Sequence, residues 1–167
     1  MSKFSVTLVQ LVVYSLLQLV FFKDVTLFNR ALCFVYAAPL LLLPLDTKPV
    51  PAMLIAFFVG FTIDIFYATG GMHTAACVMM MFLRPYVLNL ITPRGGYDLS
   101  VQPFFHIMGA RWFLIYSCLM IAIHHFTLFL VEAFTFSHIV QTLLTTLFST
   151  LFTLSVILIL QILFHKN

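Results

Sequence analysis

Long apolar runs, broken by single charged or turn-forming residues, fill the chain from end to end. They are apolar on every helical face, so neither the two-residue alternation of a half-buried strand nor a wet helix side is present. Cutting the pattern at its polar punctuation predicts six helices, at roughly 4–22, 27–45, 50–68, 72–92, 109–132 and 138–164. Each is long enough to cross about 30 Å of hydrocarbon at about 1.5 Å per residue. The second is the least regular, because Pro39 and Pro44 should kink or end it. The last is long enough to tilt or to project beyond the bilayer. Its Thr142, Thr145, Thr146, Ser149, Thr150, Thr153 and Ser155 recur every few positions, a small polar stripe suited to close packing on another helix. Asp46-Thr47-Lys48-Pro49 joins the second and third helices, and Thr69-Gly70-Gly71 makes a tight turn between the third and fourth. The one longer loop runs from Pro93 to Met108, with Pro103-Phe104-Phe105 and nearby Trp112 expected at the interface.

Composition identifies the solvent. Of 167 residues 63% are hydrophobic and 8% charged, whereas a water-facing domain carries charge on about a quarter of its residues. The expectation is a single transmembrane domain over 1–167, all-α, a six-transmembrane-helix bundle with no soluble domain, because backbone in lipid must satisfy its own hydrogen bonds. The net charge of +3 is scattered over single residues, with no basic block that would address nucleic acid. Lys3, Lys48, Arg94, Arg111 and Lys166 fall on one side of the spans, and Lys23 and Arg30 on the other, which puts both termini in the cytoplasm. No Ala-x-Ala follows the first apolar stretch, which reads as a retained helix instead of a cleaved signal. Cys33, Cys77 and Cys118 are odd in number, lie inside apolar runs and form no CxxC, so buried thiols are expected, with no disulfide frame or zinc site.

Ionisable side chains inside the spans are costly, by roughly 2.5–3.5 kcal/mol at the bilayer centre, and are therefore the candidate site residues. Gly60 and Asp64 share a helix face, where a neighbouring helix can approach closely. Asp64 has two open readings: a contact to a partner, or a structural hydrogen bond to the Thr69–His73 turn. Arg84 lies about 12 Å deeper than Asp64 measured from the hairpin turn, too far for a direct pair in a straight hairpin; it is expected to snorkel to the cytoplasmic interface with help from Pro85. His73 opens the fourth helix, His124 and His125 lie in the fifth, and Glu132 follows His125 two turns later. Adjacent helix positions point about 100° apart, which favours structural hydrogen bonding over a metal site for the two histidines. With the proposed orientation, Asp64, His73, His124, His125 and Glu132 all lean outward, and are expected to form an outer polar cluster, either a small cavity or a docking surface. No nucleophile elbow, phosphate-cradling loop or HExxH helix is present, so neither catalysis nor a cofactor is expected.

The run Gly60-Phe61-Thr62-Ile63-Asp64-Ile65-Phe66-Tyr67-Ala68-Thr69-Gly70-Gly71-Met72-His73-Thr74-Ala75-Ala76 resembles the signature of the bacterial rod shape-determining MreD family, a Gly-x-x-x-Asp helix followed by a Gly-x-His-Ala-like turn. Thr74 stands where that family often has Ala. Leu43-Pro44-Leu45-Asp46-Thr47, Phe82-Leu83-Arg84-Pro85-Tyr86, Trp112-Phe113, His124-His125 and Glu132 extend the resemblance over most of the chain. It implies a non-enzymatic subunit of the cell-elongation machinery in the bacterial inner membrane. Implied partners are the bitopic MreC, and in the same complex MreB, RodA and a class B penicillin-binding transpeptidase. The implied fold is related to the substrate-binding subunits of energy-coupling factor transporters. Vitamin binding in such a transporter is the competing function; it requires a high-affinity cavity and a surface for the coupling subunit. A membrane enzyme acting on lipid-linked precursors would require Asp64, Glu132 and the histidines to converge on one headgroup site.

Overall fold

The computed structural model describes residues 3–23, 25–27, 30–98, 101–135 and 138–164. Helix α1 (Lys3–Leu17) widens into a π turn over Gln18–Phe22, and a two-stranded hairpin follows, β1 (Thr26–Leu27) and β2 (Ala31–Leu32), paired antiparallel with Thr26 opposite Leu32. A 3-10 turn (Val35–Ala37) runs into the one-turn helix α2 (Ala38–Leu41). Then come α3 (Pro49–Tyr67), α4 (Met72–Leu90), the short α5 (Phe105–Met108), α6 (Ala110–Ala133) and α7 (Ile139–Phe164). Among the described residues four helices are long and apolar enough to cross a membrane: α1 with its π turn, α3, α6 and α7. This fits an all-α, multi-pass membrane protein. The burial pattern agrees, since bulky apolar side chains such as Val20, Phe58, Ile65, Leu90 and Ile162 face outward while Gln18, Asp64, His73, Arg84, His124 and Thr153 are buried.

The continuous helix expected over 27–45 is replaced by hairpin, turn and single helical turn; Phe28 and Asn29 of that range, and Lys166 of the charge count, lie outside the described residues. The prolines explain part of the change. Pro39 sits in the first turn of α2, where its missing N–H costs nothing, and Pro44 follows the helix end. Residues Cys33 to Leu43 are nevertheless among the most enclosed in the molecule, Val35 through Ala38 having no exposed surface. A non-helical stretch buried at such depth must find partners for its backbone, and the surrounding helices supply them. Ser149 Oγ of α7 accepts from Leu32 N (3.0 Å), and Thr153 Oγ1 accepts from Phe34 N (3.1 Å). Gln18 Nε2 donates to Cys33 O (3.1 Å), Tyr116 Oη to Leu41 O (3.2 Å), and Arg84 to Leu43 O and Pro44 O. Polar side chains on α1, α4, α6 and α7 thus stand in for the bonds a helix would make within itself.

The α7 stripe divides by face: Thr142, Thr146, Ser149, Thr150 and Thr153 are buried, but Ser155 is exposed and bonds back to Leu151 O. Trp112 is a tie between helices, its indole N–H donating to Ile91 O just past the end of α4 and its ring stacked on Tyr116 at 4.9 Å. Helices α3 and α4 meet most closely at Gly60, where a Cβ would lie 2.5 Å from Thr74 Cα and 2.8 Å from His73 O. Both obstructions are backbone and cannot rotate away. Gly60→Val is therefore expected to lower stability by about 3 kcal/mol, the upper end for overpacking, read as a lower midpoint of unfolding in detergent micelles. A variant melting like the parent would show that the helices are free to separate.

Candidate functional site

The α3–α4 junction is built by one carboxylate. Ala68 takes a left-handed conformation (φ 57°) to end α3, and Gly71 (φ 101°) opens α4 in a conformation that only glycine adopts readily. The chain thereby turns back so that the N-terminus of α4 faces Asp64 one turn from the end of α3. Asp64 Oδ1 accepts from Thr69 Oγ1 (2.5 Å) and His73 N (3.0 Å); Oδ2 accepts from Thr74 N (2.8 Å) and Thr74 Oγ1 (2.5 Å). An anion at a helix N-terminus, bonded to its free N–H groups, is favoured by charge and geometry together. Of the two readings of Asp64, the structural bond to the Thr69–His73 turn is present. Thr74 supplies a hydroxyl to that bond set.

Below the junction lies an aromatic and imidazole cluster centred on the broken segment. Tyr36 Oη bridges His73 Nδ1 (2.7 Å) and His124 Nε2 (2.8 Å), joining α4 to α6. One hydroxyl proton serves one of these contacts, so the other imidazole must donate its own N–H to the phenol oxygen. His125 is assigned more firmly. Its Nδ1 lies 2.8 Å from the Ile121 carbonyl, which can only accept, so Nδ1 carries the proton and Nε2 accepts from Thr153 Oγ1 at 3.2 Å. Phe34 fills the centre, with ring centroids 5.3 Å from His73, 6.2 Å from His124 and 5.4 Å from His125. His124 Nδ1 is buried without a partner among the described residues.

Of the expected cluster, His73, His124 and His125 converge, and Asp64 joins through the His73 backbone. It is closed, however. Asp64 is 5% exposed, His73 3%, and both His124 and His125 0%; the three-dimensional arrangement makes internal ties where an open outer cavity or docking surface was expected. The physical reason is the broken segment, which occupies the space between α4 and α6 with Phe34 and Tyr36. Glu132 stands apart and exposed, in the last turn of α6 beyond the cluster. Arg84 also departs from expectation. Instead of snorkelling it is 2% exposed, with Nε donating to Tyr116 Oη (2.9 Å) and NH2 to Leu43 O (2.6 Å). It lies eleven residues along α4 from His73, about 16.5 Å, and no contact joins it to Asp64 among the described residues. Among those residues no three of His, Cys, Asp or Glu group to hold a metal ion, and all three cysteines are free.

Tyr36, Phe34, Gln18 and Tyr116 hold the site together and were not signalled individually. Gln10 and Gln18 both interrupt the first apolar run, a signal that could have drawn attention to Gln18; Tyr36 and Phe34 look like any aromatic in an apolar stretch. Charged and neutral polar groups outside the bundle gather at its hairpin end, where Arg30, Glu132, His138, Gln141, Thr142 and Phe129 line a cleft of about 430 Å³. At the membrane-facing side, α1 and α3 leave an apolar groove of about 420 Å³ lined by Leu11, Ser15, Leu19, Ile55 and Phe58. No protein-family model, no curated protein and no solved structure matches the chain.

Proposed function

We propose that this chain is a non-enzymatic scaffold subunit of the bacterial cell-elongation complex, an MreD-like protein of the inner membrane with both termini in the cytoplasm. In this reading it holds the bitopic protein MreC and so links MreB filaments to peptidoglycan synthesis by RodA and a class B penicillin-binding transpeptidase. The observation that carries the proposal is the fate of the family-like run: Gly60, Asp64, Thr69, His73 and Thr74 all meet in one helix junction. A signature whose polar and glycine positions are spent on internal closure suits a protein whose task is to present a fixed shape. The second support is the open groove between α1 and α3, beside which Phe57 and Phe61 stack on the lipid-facing side at 5.9 Å. An apolar helix laid in such a groove is a general recognition mode, and a bitopic partner has one membrane helix to offer.

Co-expression with MreC and a photo-crosslinking residue at Phe58 tests this directly. The expected result is a crosslink to the membrane helix of MreC, together with co-purification that Phe58→Ala and Ser15→Leu weaken without changing the melting midpoint. Failure of MreC to co-purify, with tight binding of a vitamin by the purified chain, would instead favour the transporter function.

A further inference from the structure

We propose that the hairpin end of the molecule binds one phospholipid of the surrounding bilayer, of the phosphatidylethanolamine class, with its phosphate on Arg30 and its primary amine on Glu132. Three cavities meet at Arg30. The polar cleft of about 430 Å³ contains Glu132, and a second pocket of about 390 Å³ contains His138, Gln141 and Thr145. The third, about 600 Å³, is apolar and lies between Leu27 and Ala31 of the hairpin and Phe148, Leu151 and Phe152 of α7. A charged rim leading into an oily groove fits an amphiphile, with headgroup and chain held by adjoining cavities.

The groove has the direction and depth of an acyl chain. Gln141 lines the polar pocket and Ser155 the far end of the apolar one. These residues are fourteen apart on α7, about 21 Å along its axis, and Phe148 to Ser155 spans about 10 Å. One leaflet of a hydrocarbon core about 30 Å thick is about 15 Å deep, so the apolar groove runs from the interface towards the midplane.

The two charges select the headgroup. Arg30 and Glu132 line the same cleft, both exposed, and neither has an ion-pair partner among the described residues. Glu132 is in the last turn of α6, where the helix dipole is already negative; a carboxylate there favours a cation. A guanidinium offers a phosphate a bidentate fork, and an ammonium offers the carboxylate three N–H donors. Phosphatidylglycerol would bring no amine to Glu132, and the choline head has no N–H to donate.

Native mass spectrometry of the full chain, released from detergent after incubation with lipids of matched acyl chains, decides the matter. Phosphatidylethanolamine is expected to be retained about tenfold more than phosphatidylcholine or phosphatidylglycerol, the equivalent of one charge-assisted contact of about 1.4 kcal/mol. Glu132→Gln should remove that preference, and Arg30→Gln should lower retention of all three lipids. Glycerophosphoethanolamine, the same head without chains, should compete at least about a hundredfold less well. Equal retention of the three lipids by the parent chain, preference for phosphatidylglycerol, or equal competition by the chainless head would overturn the proposal. MreC co-purification is a separate readout, so loss of one does not decide the other.

Discussion

Replacing Arg84 with methionine is expected to lower the stability of the fold by about 1–3 kcal/mol, because the guanidinium it removes is the one donor to the buried Leu43 carbonyl among the described residues. The guanidinium donates to Leu43 O, Pro44 O and Tyr116 Oη. When Arg84 is lost Tyr116 keeps its own bond to Leu41 O and Pro44 O keeps the Thr47 N–H (3.1 Å), so the damage falls on the Leu43 carbonyl. A buried acceptor left unpaired costs about 1–3 kcal/mol. A neutral bond between membrane helices averages only about 0.6 kcal/mol, but that figure describes partners which can be replaced by others in the unfolded chain. Removing a buried charge also relieves its desolvation penalty, and for an ion pair that relief can make an apolar replacement neutral. Here the partners are peptide carbonyls and remain in place whatever side chain is substituted. Arg84→Lys should recover part of the loss, since an ammonium reaches one carbonyl but lacks the fork that spans both and the phenol. Unfolding in mixed micelles by increasing SDS measures the series, and a loss below about 1 kcal/mol for methionine would mean that water reaches the Leu43 carbonyl.

The same contacts explain which parts of the fold were legible. Helices α3, α4, α6 and α7 begin and end within two residues of the bounds that apolar run length and turn residues predict; for α3, α6 and α7 span length follows from bilayer thickness. The close approach at Gly60 was legible too, because a glycine sharing a helix face with a buried carboxylate has a definite steric meaning. The segment after Lys23 was not. Its apolar residues permit a helix, and the decision against one rests on Gln18, Tyr116, Ser149 and Thr153, which lie up to 119 residues away in sequence. No local pattern reports a hydrogen bond between Phe34 and Thr153. For the same reason the histidines were found as residues but their surroundings were misjudged: the space that would have made them an outer cavity is filled by Phe34 and Tyr36 from that segment. Arg84 was misplaced for the reverse reason, since snorkelling is the low-cost solution only when no backbone acceptor is nearby.

Asp64 offers a sharper test, because the conservative replacement should fail almost as badly as the drastic one. Asp64→Ala removes the acceptor of four hydrogen bonds and the anion facing the α4 N-terminus, an expected loss of about 2–4 kcal/mol. Asp64→Asn keeps size and shape but turns one oxygen into an NH2 group. Each carboxylate oxygen accepts from a backbone N–H, Oδ1 from His73 and Oδ2 from Thr74. Whichever way the amide is turned, its NH2 therefore faces a donor that cannot rotate, although the Thr69 and Thr74 hydroxyls can turn to offer it a lone pair. More than half of the alanine loss is expected for asparagine, and the measurement is again the unfolding midpoint in micelles. A carboxylate serving chiefly as a partner contact would behave differently: both variants would melt like the parent and lose only the bound protein. Glu at position 64 separates charge from geometry, since the anion is retained on a longer arm; it should restore the dipole interaction while losing the paired backbone bonds, and so fall between the parent and Asp64→Asn. If Asp64→Asn were as stable as the parent, the junction would be held by the close contact of α3 and α4 at Gly60 alone, and the carboxylate would be free for a role outside the fold.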